Sequence, residues 1–446
     1  MKKILDNSFI FFSFCFLVLM ILYYPTFSGE QIWDDRYFLF DSAVRHVEFK
    51  FLDLLNIFSW PVTILTQKLL LKIFDTEYLY FHITNFCLHF INGLLLFRFL
   101  KLKNIPSPRL GFMIFLFHPS MITSVAWMIQ LKTLLCAFFA LLSLNYFLKS
   151  ESETLWKKRY TNRAFAILSY TLSLGSKSAS IPLLVYFLKI KENWKKKLYF
   201  IAPIVVISAI ALYKLFTSQV ALEGIQKAIS STPYESAFEF ALNTVPQTLN
   251  FYFWQALFPF YNIPIRGTVP DNVMSALVGF IPMVILLVMI RKQRELKYFL
   301  FFFLMLTPFL GIIPAPFMTS SWVSDQHLYV AMIFFIPGIC LLLEKIEETK
   351  VKLISQAVAV IFLCFVSFSN MSNYQDEYHF YKSSFDYNHN LAAGYQLMNF
   401  YVANERYEEA RNCYYQILTS NPYTDYLENN FYWLRIQQFE PRIFED

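Results

Sequence analysis

The sequence predicts an all-α protein that crosses a membrane many times, and three observations support that fold class. Of its 446 residues, 56% are hydrophobic and 20% are aromatic. Only 16% are charged, whereas a soluble domain carries about 25%. Many apolar runs reach or approach the ~20 residues that a spanning helix needs. No GxGxxG, P-loop, HExxH or GxSxG pattern is present, which disfavours a nucleotide-dependent cytoplasmic enzyme.

The first apolar run, from Phe9 to Tyr24, follows two lysines and resembles the core of a signal peptide. The bulky Tyr23-Tyr24-Pro25 offers no small-x-small cleavage site, so a retained first helix is predicted. About eleven spans are expected, at 8–24, 79–98, 110–128, 132–148, 164–176, 179–190, 198–216, 273–290, 298–316, 327–343 and 353–370.

The positions of lysine and arginine predict the orientation. With the N-terminus in the cytoplasm, the six inner segments hold 2, 4, 5, 5, 4 and 3 of these residues, or 23 of the 38. The outer loop 317–326 holds none. This distribution follows the positive-inside rule and places the C-terminus outside. The net charge of +6 therefore does not imply a nucleic-acid partner.

Two outer loops and a tail complete the organisation. Residues 25–78 include an amphipathic piece, Phe51–Phe74, that is expected on the membrane surface. Residues 217–272 form an aromatic interfacial segment. Residues 1–370 are predicted to be the membrane domain and residues 371–446 a helical tail.

The tail contains one short repeat-like pattern. Tyr401, Ala410, Tyr414 and Pro422 have the spacing of one tetratricopeptide repeat, and a generic helical hairpin is the alternative. Because one repeat cannot bury a core by itself, it must pack on the membrane domain, on other tail helices or on a partner.

An acidic pair follows the first span, in Trp33-Asp34-Asp35-Arg36-Tyr37. Adjacent carboxylates repel each other, and partial burial raises their pKa, which suits a proton acceptor. A solvated acidic turn is the alternative.

Four polar residues form one stripe on the second span: His82, Asn85, His89 and Asn92. Lipid would not tolerate such a stripe, so it faces the bundle interior. It either makes interhelical hydrogen bonds or lines a polar cavity. Two histidines seven residues apart, without an acidic ligand, disfavour a metal site. No metal and no cofactor is therefore expected.

Further candidates lie at span ends on the predicted outer side. Lys132 and Lys177 either extend to the lipid headgroups or hold a phosphate as point charges. Asp325 suits a helix N-cap, and His327 and Tyr329 could line a site at that helix N-terminus, which favours anions.

In this order the segments resemble the polytopic C-type glycosyltransferases, and within them the bacterial relatives of the transmembrane, tetratricopeptide-containing O-mannosyltransferases. The resemblance covers most of residues 25–425. The matching positions are Trp33-Asp34-Asp35, Pro61-Val62-Thr63, His82, Asn85, His89, His118-Pro119, Val125-Ala126-Trp127, Lys132, Ser176-Lys177, Pro182, Tyr252 to Pro259, Asp325, Tyr329 and 391–424.

The chain departs from the family pattern at several positions. An acidic residue expected after His-Pro falls on Thr123 or Ser124, and the residues flanking the family's lysine are Leu131 and Thr133. Gln326-His327 replaces an Arg-Tyr, and about one repeat replaces several.

The resemblance implies an inverting transfer of a sugar from a polyprenyl phosphate to a hydroxyl of a protein or glycan acceptor, outside a bacterial plasma membrane. Asp34 or Asp35 would accept the proton. Arg36, Lys132 and Lys177 would stabilise the phosphate, with His82, His89, Asp325, His327 and Tyr329 nearby. The alternatives are a carrier for a lipid-linked sugar and a scaffold that has lost activity.

Overall fold

The computed structural model describes residues 8–35, 39, 60–189, 194–217, 223, 225–226, 236–269, 280–281, 283–285, 288, 294–420 and 435–438. Within these ranges the chain is helical and contains no strand, apart from one isolated bridge between Gly267 and Ser321.

The first half of the chain contains nine of the helices used here. They are α1 (Ser8–Phe27), α2 (Pro61–Phe74), α3 (Tyr78–Leu102), α4 (Pro108–Phe117), α5 (Ile122–Ala126), α6 (Leu131–Ser152), α7 (Trp156–Ser176), α8 (Leu184–Phe187) and α9 (Trp194–Thr217). Short 3₁₀ turns join some of them, at Pro119–Met121, Met128–Gln130 and Ser178–Leu183.

The second half continues with helices of both the membrane domain and the tail. They are α10 (Ala237–Leu257), α11 (Arg294–Leu306), α12 (Leu328–Glu344), α13 (Thr349–Met371), α14 (Glu377–Asn388), α15 (Leu391–Ala403) and α16 (Tyr407–Ser420). The 3₁₀ turns here lie at Thr307–Phe309, Pro316–Thr319, Asp325–His327 and Ser372–Tyr374.

Six helical segments of the described residues are long and apolar enough to cross a membrane. A seventh is obtained if the bent pair Pro108–Phe117 and Pro119–Ala126 is counted as one span. The protein is thus all-helical in its described part, with several candidate spans, as its composition predicts. The six are Ser8–Phe27, Tyr78–Leu102, Met128–Ser152, Lys196–Tyr213, Asp325–Glu344 and Thr349–Tyr374.

The predicted total of about eleven spans goes beyond this number. The expected spans at 164–176 and 179–190 fall on the charged helix α7 and on the short apolar segment Ser178–Phe187. The span expected at 298–316 meets α11, which has 13 residues. The span expected at 273–290 lies largely outside the described residues. These four spans stay predictions.

The core of the bundle surrounds α12 and α6. In the span Asp325–Glu344, 78% of the most apolar window is buried, against 17% for Thr349–Tyr374 and 33% for Ser8–Phe27. The peripheral helices α1 and α13 therefore turn apolar faces outward, as lipid contact requires. Phe9 and Phe365 are 79% and 69% exposed on those faces.

A sharp bend interrupts the chain after α4. Pro119 has no N–H to continue the helix and disfavours helical geometry at His118, whose backbone is extended. The axis of α4 (Pro108–Phe117) and the axis of the helical segment Pro119–Ala126 differ in direction by 56°. His118 stabilises the bend, since its Nδ1 accepts the Ser120 N–H at 3.2 Å and its Nε2 donates to the Ala256 carbonyl at 3.1 Å. Residues after the bend turn back toward the end of α1.

The tail packs directly on the membrane domain. The ring centroids of Trp33 and Trp127 lie 6.3 and 5.7 Å from that of Phe380 in α14. Helices α15 and α16 form a tight pair in which Ala410 is fully buried and a Cβ on Gly394 would approach Ile417 Cδ1 to 2.7 Å. The identity of this pair as a tetratricopeptide repeat stays a prediction, and Pro422 lies outside the described residues.

Candidate functional site

Asp35 anchors the loop after α1 to the loop before α6. Its side chain is fully buried. Its Oδ2 accepts the Ile32 N–H at 3.1 Å, and its Oδ1 accepts the Ile129 N–H at 2.8 Å. Both oxygens therefore bind backbone donors, one local and one 94 positions along the chain. Such a carboxylate fixes the position of its neighbours rather than facing a ligand.

Asp34 has a different environment although it is adjacent. Its side chain is partly exposed, yet its Oδ1 is buried and makes no hydrogen bond within the described residues. The indole of Trp127 lies beside this carboxylate, and Trp127 Nε1 likewise lacks a partner there. The Trp127 indole lowers the pKa of Asp34 as a hydrogen-bond donor would, yet the two groups do not reach normal hydrogen-bond geometry. Both can therefore turn to a polar ligand placed between them.

The turn before the pair is strained and is supported by the tail. Trp33 has a φ of 52°, in the left-handed region that costs a non-glycine residue about 1–2 kcal/mol. Its ring packs against Phe380 and Tyr381 at 6.3 and 5.9 Å. Strain of this kind persists only where surrounding contacts determine it. Helix α14 therefore helps to set the direction of Asp34.

The electrostatics of the acidic pair favour a retained proton. Burial raises the pKa of Asp34, and the nearby Lys132 opposes this rise. Burial also raises the pKa of Asp35 well above its ordinary value, with a further rise from the charge of Asp34, against the two backbone donors and Lys132. Two neighbouring carboxyl groups, one buried and one partly buried, oppose each other's ionisation, so the pair titrates as a unit.

Two lysines lie next to each other on the same side of the bundle. Lys132, at the start of α6, is 8% exposed, and its Nζ lies 4.5 Å from the ring centroid of Trp60. Lys177, directly after α7, is 7% exposed and donates to Thr133 Oγ1 at 2.9 Å. Thr133 in turn donates to Gln130 Oε1 at 2.7 Å. The chain of contacts links the lysines to the loop that holds Asp35.

The proximity of the two cations has a consequence for Lys177. Burial lowers its pKa to about 7, and the positive charge of Lys132 adds to this effect. Lys177 therefore changes its charge near neutral pH. An anion bound between the two lysines would restore the charged form, which is the behaviour expected of a phosphate contact.

His327 lies at the lysine end of this region. Its ring stacks on Phe309 at 4.0 Å and 7°, and its Nδ1 shares a hydrogen bond with the Tyr252 hydroxyl at 3.0 Å. The Nζ of Lys177 lies 5.5 Å from the centroid of the same Phe309 ring. The structure thus brings His327 and Lys177 to the same aromatic ring.

Asp325 is paired with an arginine instead of capping a helix. Its Oδ2 lies 3.5 Å from Arg266 Nη2 and accepts the Gln255 amide at 3.1 Å. Its other oxygen, Oδ1, is buried and makes no hydrogen bond within the described residues. Arg266 is itself 5% exposed and stacks over Phe251 at 4.7 Å. Sequence reasoning missed Arg266; the signal was a single arginine inside a long aromatic outer segment.

The polar stripe of α3 divides into two parts. Asn85 donates to the carbonyls of Val125 and Trp127 at 3.3 and 3.2 Å, so it holds the loop after the bend. His89 donates to the Leu116 carbonyl at 3.1 Å and accepts from the Tyr329 hydroxyl at 2.8 Å. For Asn85 and His89, the polar stripe therefore makes interhelical hydrogen bonds, which is the first of the two uses predicted for it.

Asn92 and His82 lie at opposite ends of that stripe. Asn92 donates to the Tyr329 hydroxyl at 3.2 Å, deep in the bundle. His82 lies near the backbone of Gly29 and Ala126, and within the described residues neither of its ring nitrogens makes a hydrogen bond of normal geometry. His82 is therefore the histidine of this helix that faces the acidic loop with unused polar atoms.

The predictions for Arg36 and for a metal site remain to be described. Arg36 lies outside the described residues. In the described ranges no group of three or more His, Cys, Asp or Glu side chains could hold a metal ion.

No protein-family model, curated protein or solved structure matches this chain. The fold and the geometry of the candidate site therefore carry the functional interpretation. They define an all-helical membrane protein in which a buried acidic pair, two buried lysines and two histidines converge at one end of the bundle.

Proposed function

We propose that the protein is a membrane glycosyltransferase that moves a sugar from a polyprenyl phosphate to a hydroxyl of a protein or glycan acceptor. The observation that supports this most strongly is the carboxylate of Asp34, whose buried Oδ1 makes no hydrogen bond of normal geometry and which lies near Trp127 and Lys132. A general base must have an unused acceptor, and a phosphate leaving group needs cations. Both requirements are met within one small region.

In the proposed reaction Asp34 is the base. The acceptor hydroxyl gives its proton to Asp34 while its oxygen forms a bond to the anomeric carbon of the sugar. The bond between that carbon and the phosphate oxygen breaks, and its electron pair leaves with the polyprenyl phosphate. Attack on the face opposite the phosphate inverts the configuration. No metal is needed to complete this balance.

The two lysines stabilise the leaving group in this proposal. Lys177 and Lys132 place two cations beside each other in a buried setting, where electrostatic interactions are stronger than in water. His327 lies on the same aromatic ring as Lys177 and is a candidate contact to the phosphate or the sugar.

Most of the other predicted site residues hold loops and helices in position. Asp35 fixes the two loops, and His89 and Tyr329 bond to each other inside the bundle. Asp325 and Arg266 hold the outer loop to the start of α12. His82 has unused nitrogens and is the remaining candidate to contact a ligand near the acidic loop.

The orientation and membrane remain part of the proposal. The N-terminus lies in the cytoplasm of a bacterial cell, and the acidic pair and the tail lie outside the plasma membrane. The donor is then used in the outer leaflet.

Transfer in sealed vesicles tests this function. Labelled polyprenyl-phosphate sugar and an acceptor extract are supplied to wild type, Asp34→Asn and Asp35→Asn. Asp34→Asn should reduce transfer by ~10²–10⁴-fold, the usual contribution of a general base, with unchanged thermal stability. Asp35→Asn should lower thermal stability, because an amide nitrogen would meet one of the two backbone N–H donors. The matched control is Asp386→Asn, an exposed tail residue that pairs with Lys382.

Other outcomes would support the other classes of protein. Sugar that crosses the membrane without transfer would indicate a carrier. Full transfer by Asp34→Asn would remove Asp34 as the base. Absence of both transfer and transport with every sugar class supplied would indicate a scaffold.

A further inference from the structure

A polar pocket lies at the end of α6 opposite the acidic pair. Lys132 is at one end of this helix and Lys149 is 17 residues further on, roughly 25 Å along the axis. The pocket has a volume of about 250 Å³. The residues that line it are Lys149, Glu153, Lys158, Thr161 and Asn162.

The two lysines of this pocket have no carboxylate partner within the described residues. The carboxylate of Glu153 also lines the pocket and offsets one of the two positive charges; its Oε1 accepts the backbone N–H groups of Thr154 and Leu155, both at 3.1 Å. Lys149 and Lys158 therefore supply the positive charge that faces the pocket.

Asn162 adds a fixed polar group to the same pocket. Its side chain is 7% exposed, and no hydrogen bond to it is found in the part of the chain that the structure describes. Its amide atoms are not among the fully buried polar atoms that lack a partner, so they are open to the pocket. Its two N–H donors are available to an oxygen-rich anion that enters between the lysines.

The nearby arginines are engaged and do not compete for such an anion. Arg159 donates two hydrogen bonds to the Glu153 carbonyl, at 3.0 and 2.7 Å. Arg163 pairs with Glu151 at 3.1 Å. The pocket thus has a defined set of donors: two ammonium groups and one amide.

Exposed apolar side chains lie between the lining residues along the chain, at the α6–α7 connection and the start of α7. Leu155 is 56% exposed, Trp156 is 66% exposed and Tyr160 is 41% exposed. Tryptophan and tyrosine concentrate at the depth of lipid headgroups in membrane proteins. A lysine is a suitable point-charge contact for a phosphate, and basic pockets between membrane helices bind anionic headgroups.

We propose that this pocket binds the phosphate of an anionic membrane phospholipid, in the leaflet opposite the acidic pair. Lys149 and Lys158 contact the phosphate, and Asn162 donates to it or to the headgroup. Trp156 and Tyr160 place the entrance at the headgroup layer. The proposal concerns a different end of the bundle from the glycosyltransferase site and does not depend on that function.

A lipid titration of the full chain tests the site. Delipidated protein in detergent is titrated with phosphatidylglycerol, phosphatidylcholine or inorganic phosphate, and the shift in thermal unfolding temperature and the number of bound lipids by native mass spectrometry are measured. Wild type should bind phosphatidylglycerol and be stabilised, and phosphatidylcholine should have a much smaller effect. The double variant Lys149→Gln with Lys158→Gln should lose most of this difference.

The control variant removes the same charge elsewhere. Lys157→Gln with Lys350→Gln changes two exposed lysines outside the pocket and should behave like wild type. Asn162→Asp should also weaken phosphatidylglycerol binding, because it adds a negative charge. Equal stabilisation by both lipids, an unaffected double variant, or inorganic phosphate giving the same shift as the lipid would overturn the proposal.

Discussion

Asp34 and Asp35 are neighbours whose partners separate their roles. The backbone N–H groups of Ile32 and Ile129 occupy both oxygens of Asp35. Asp34 keeps one buried oxygen without a partner in the described residues. The sequence predicts an acidic pair in contact with the membrane domain, but it treats the two carboxylates alike. Their difference arises from a contact across 94 positions.

The charge of Lys177 yields a pH prediction for the proposed reaction. Its pKa is lowered to about 7, so the cation is present below that pH and is lost above it. The value of kcat/KM should therefore fall by about tenfold per pH unit on the alkaline side. In Lys177→Arg the guanidinium stays charged, and the alkaline limb should move to higher pH.

The pH profile of kcat/KM checks this, because that quantity reports the free enzyme. Lys189→Arg, a lysine on the far side of the Ser178–Phe187 segment, is the matched control and should leave the limb in place. An unchanged alkaline limb in Lys177→Arg would mean that Lys177 does not hold the phosphate. The raised pKa of Asp34 predicts that the acid limb lies above the pH expected of an ordinary aspartate.

At the scale of elements, α3 links the bend after α4 to the core. The spacing of its polar residues predicts an inward stripe and leaves two uses open. The structure shows hydrogen bonds to other helices for Asn85, His89 and Asn92. His82 is distinguished by its position near the loop after α1, which residue spacing along one helix cannot reveal.

Asn85→Leu tests the link between α3 and that bend. It removes hydrogen bonds to Val125 and Trp127, and leaves buried carbonyls unsatisfied, which should lower the free energy of unfolding by about 1–3 kcal/mol. Thermal unfolding in detergent measures the loss. Thr84→Ala is the control, since Thr84 is half-buried and within the described residues its hydroxyl donates to the Tyr80 carbonyl of its own helix. Equal stability of Asn85→Leu and wild type would contradict this role.

Helix α14 is the element whose contribution was least expected. The sequence predicts that residues 371–446 form a separate tail, which packs on the membrane domain, on other tail helices or on a partner. In the structure, Phe380 and Tyr381 of this helix support Trp33 and Trp127. The tail therefore takes part in shaping the candidate site, and the division into two domains stays a prediction.

At the scale of the whole molecule, the acidic loop and the tail occur at one end of the bundle and the α6–α7 connection at the other. If the bundle spans a membrane in this way, Ser28→Cys and Asn404→Cys should react with an impermeant maleimide from the same side, which the lysine distribution predicts to be outside. Thr154→Cys should react only after the vesicles are opened. Labelling of intact cells and of inverted vesicles measures both.

The labelling experiment uses a variant from which the six native cysteines have been removed; five of these lie in apolar runs. Reaction of Ser28→Cys and Asn404→Cys from opposite sides would contradict the packing of α14 on the acidic loop. Reaction of both from the cytoplasm alone would reverse the orientation and the proposed use of an outer-leaflet donor.

Composition and residue spacing are enough to predict the fold class and to identify most of the polar residues of the candidate site. Composition and apolar run length depend on local transfer free energy, so an all-helical membrane protein can be predicted without knowing any contact. Lysine and arginine placement likewise gives an expected orientation. The number of spans does not follow from run length alone, because charged helices such as α7 and short segments such as Ser178–Phe187 do not satisfy a simple length rule.

Which buried side chains find hydrogen-bond or ion-pair partners, and which do not, follows only from the packing of the helices. The pairing of Asp325 with Arg266, the backbone contacts of Asp35 and the lysine pair each join distant positions. Hydrogen bonds and ion pairs act over a few ångströms, so they depend on how helices pack rather than on spacing along the chain. That physical difference is why the sequence indicates an acidic pair, whereas the structure distinguishes Asp34, with one oxygen lacking a partner in the described residues, from the fully bonded Asp35.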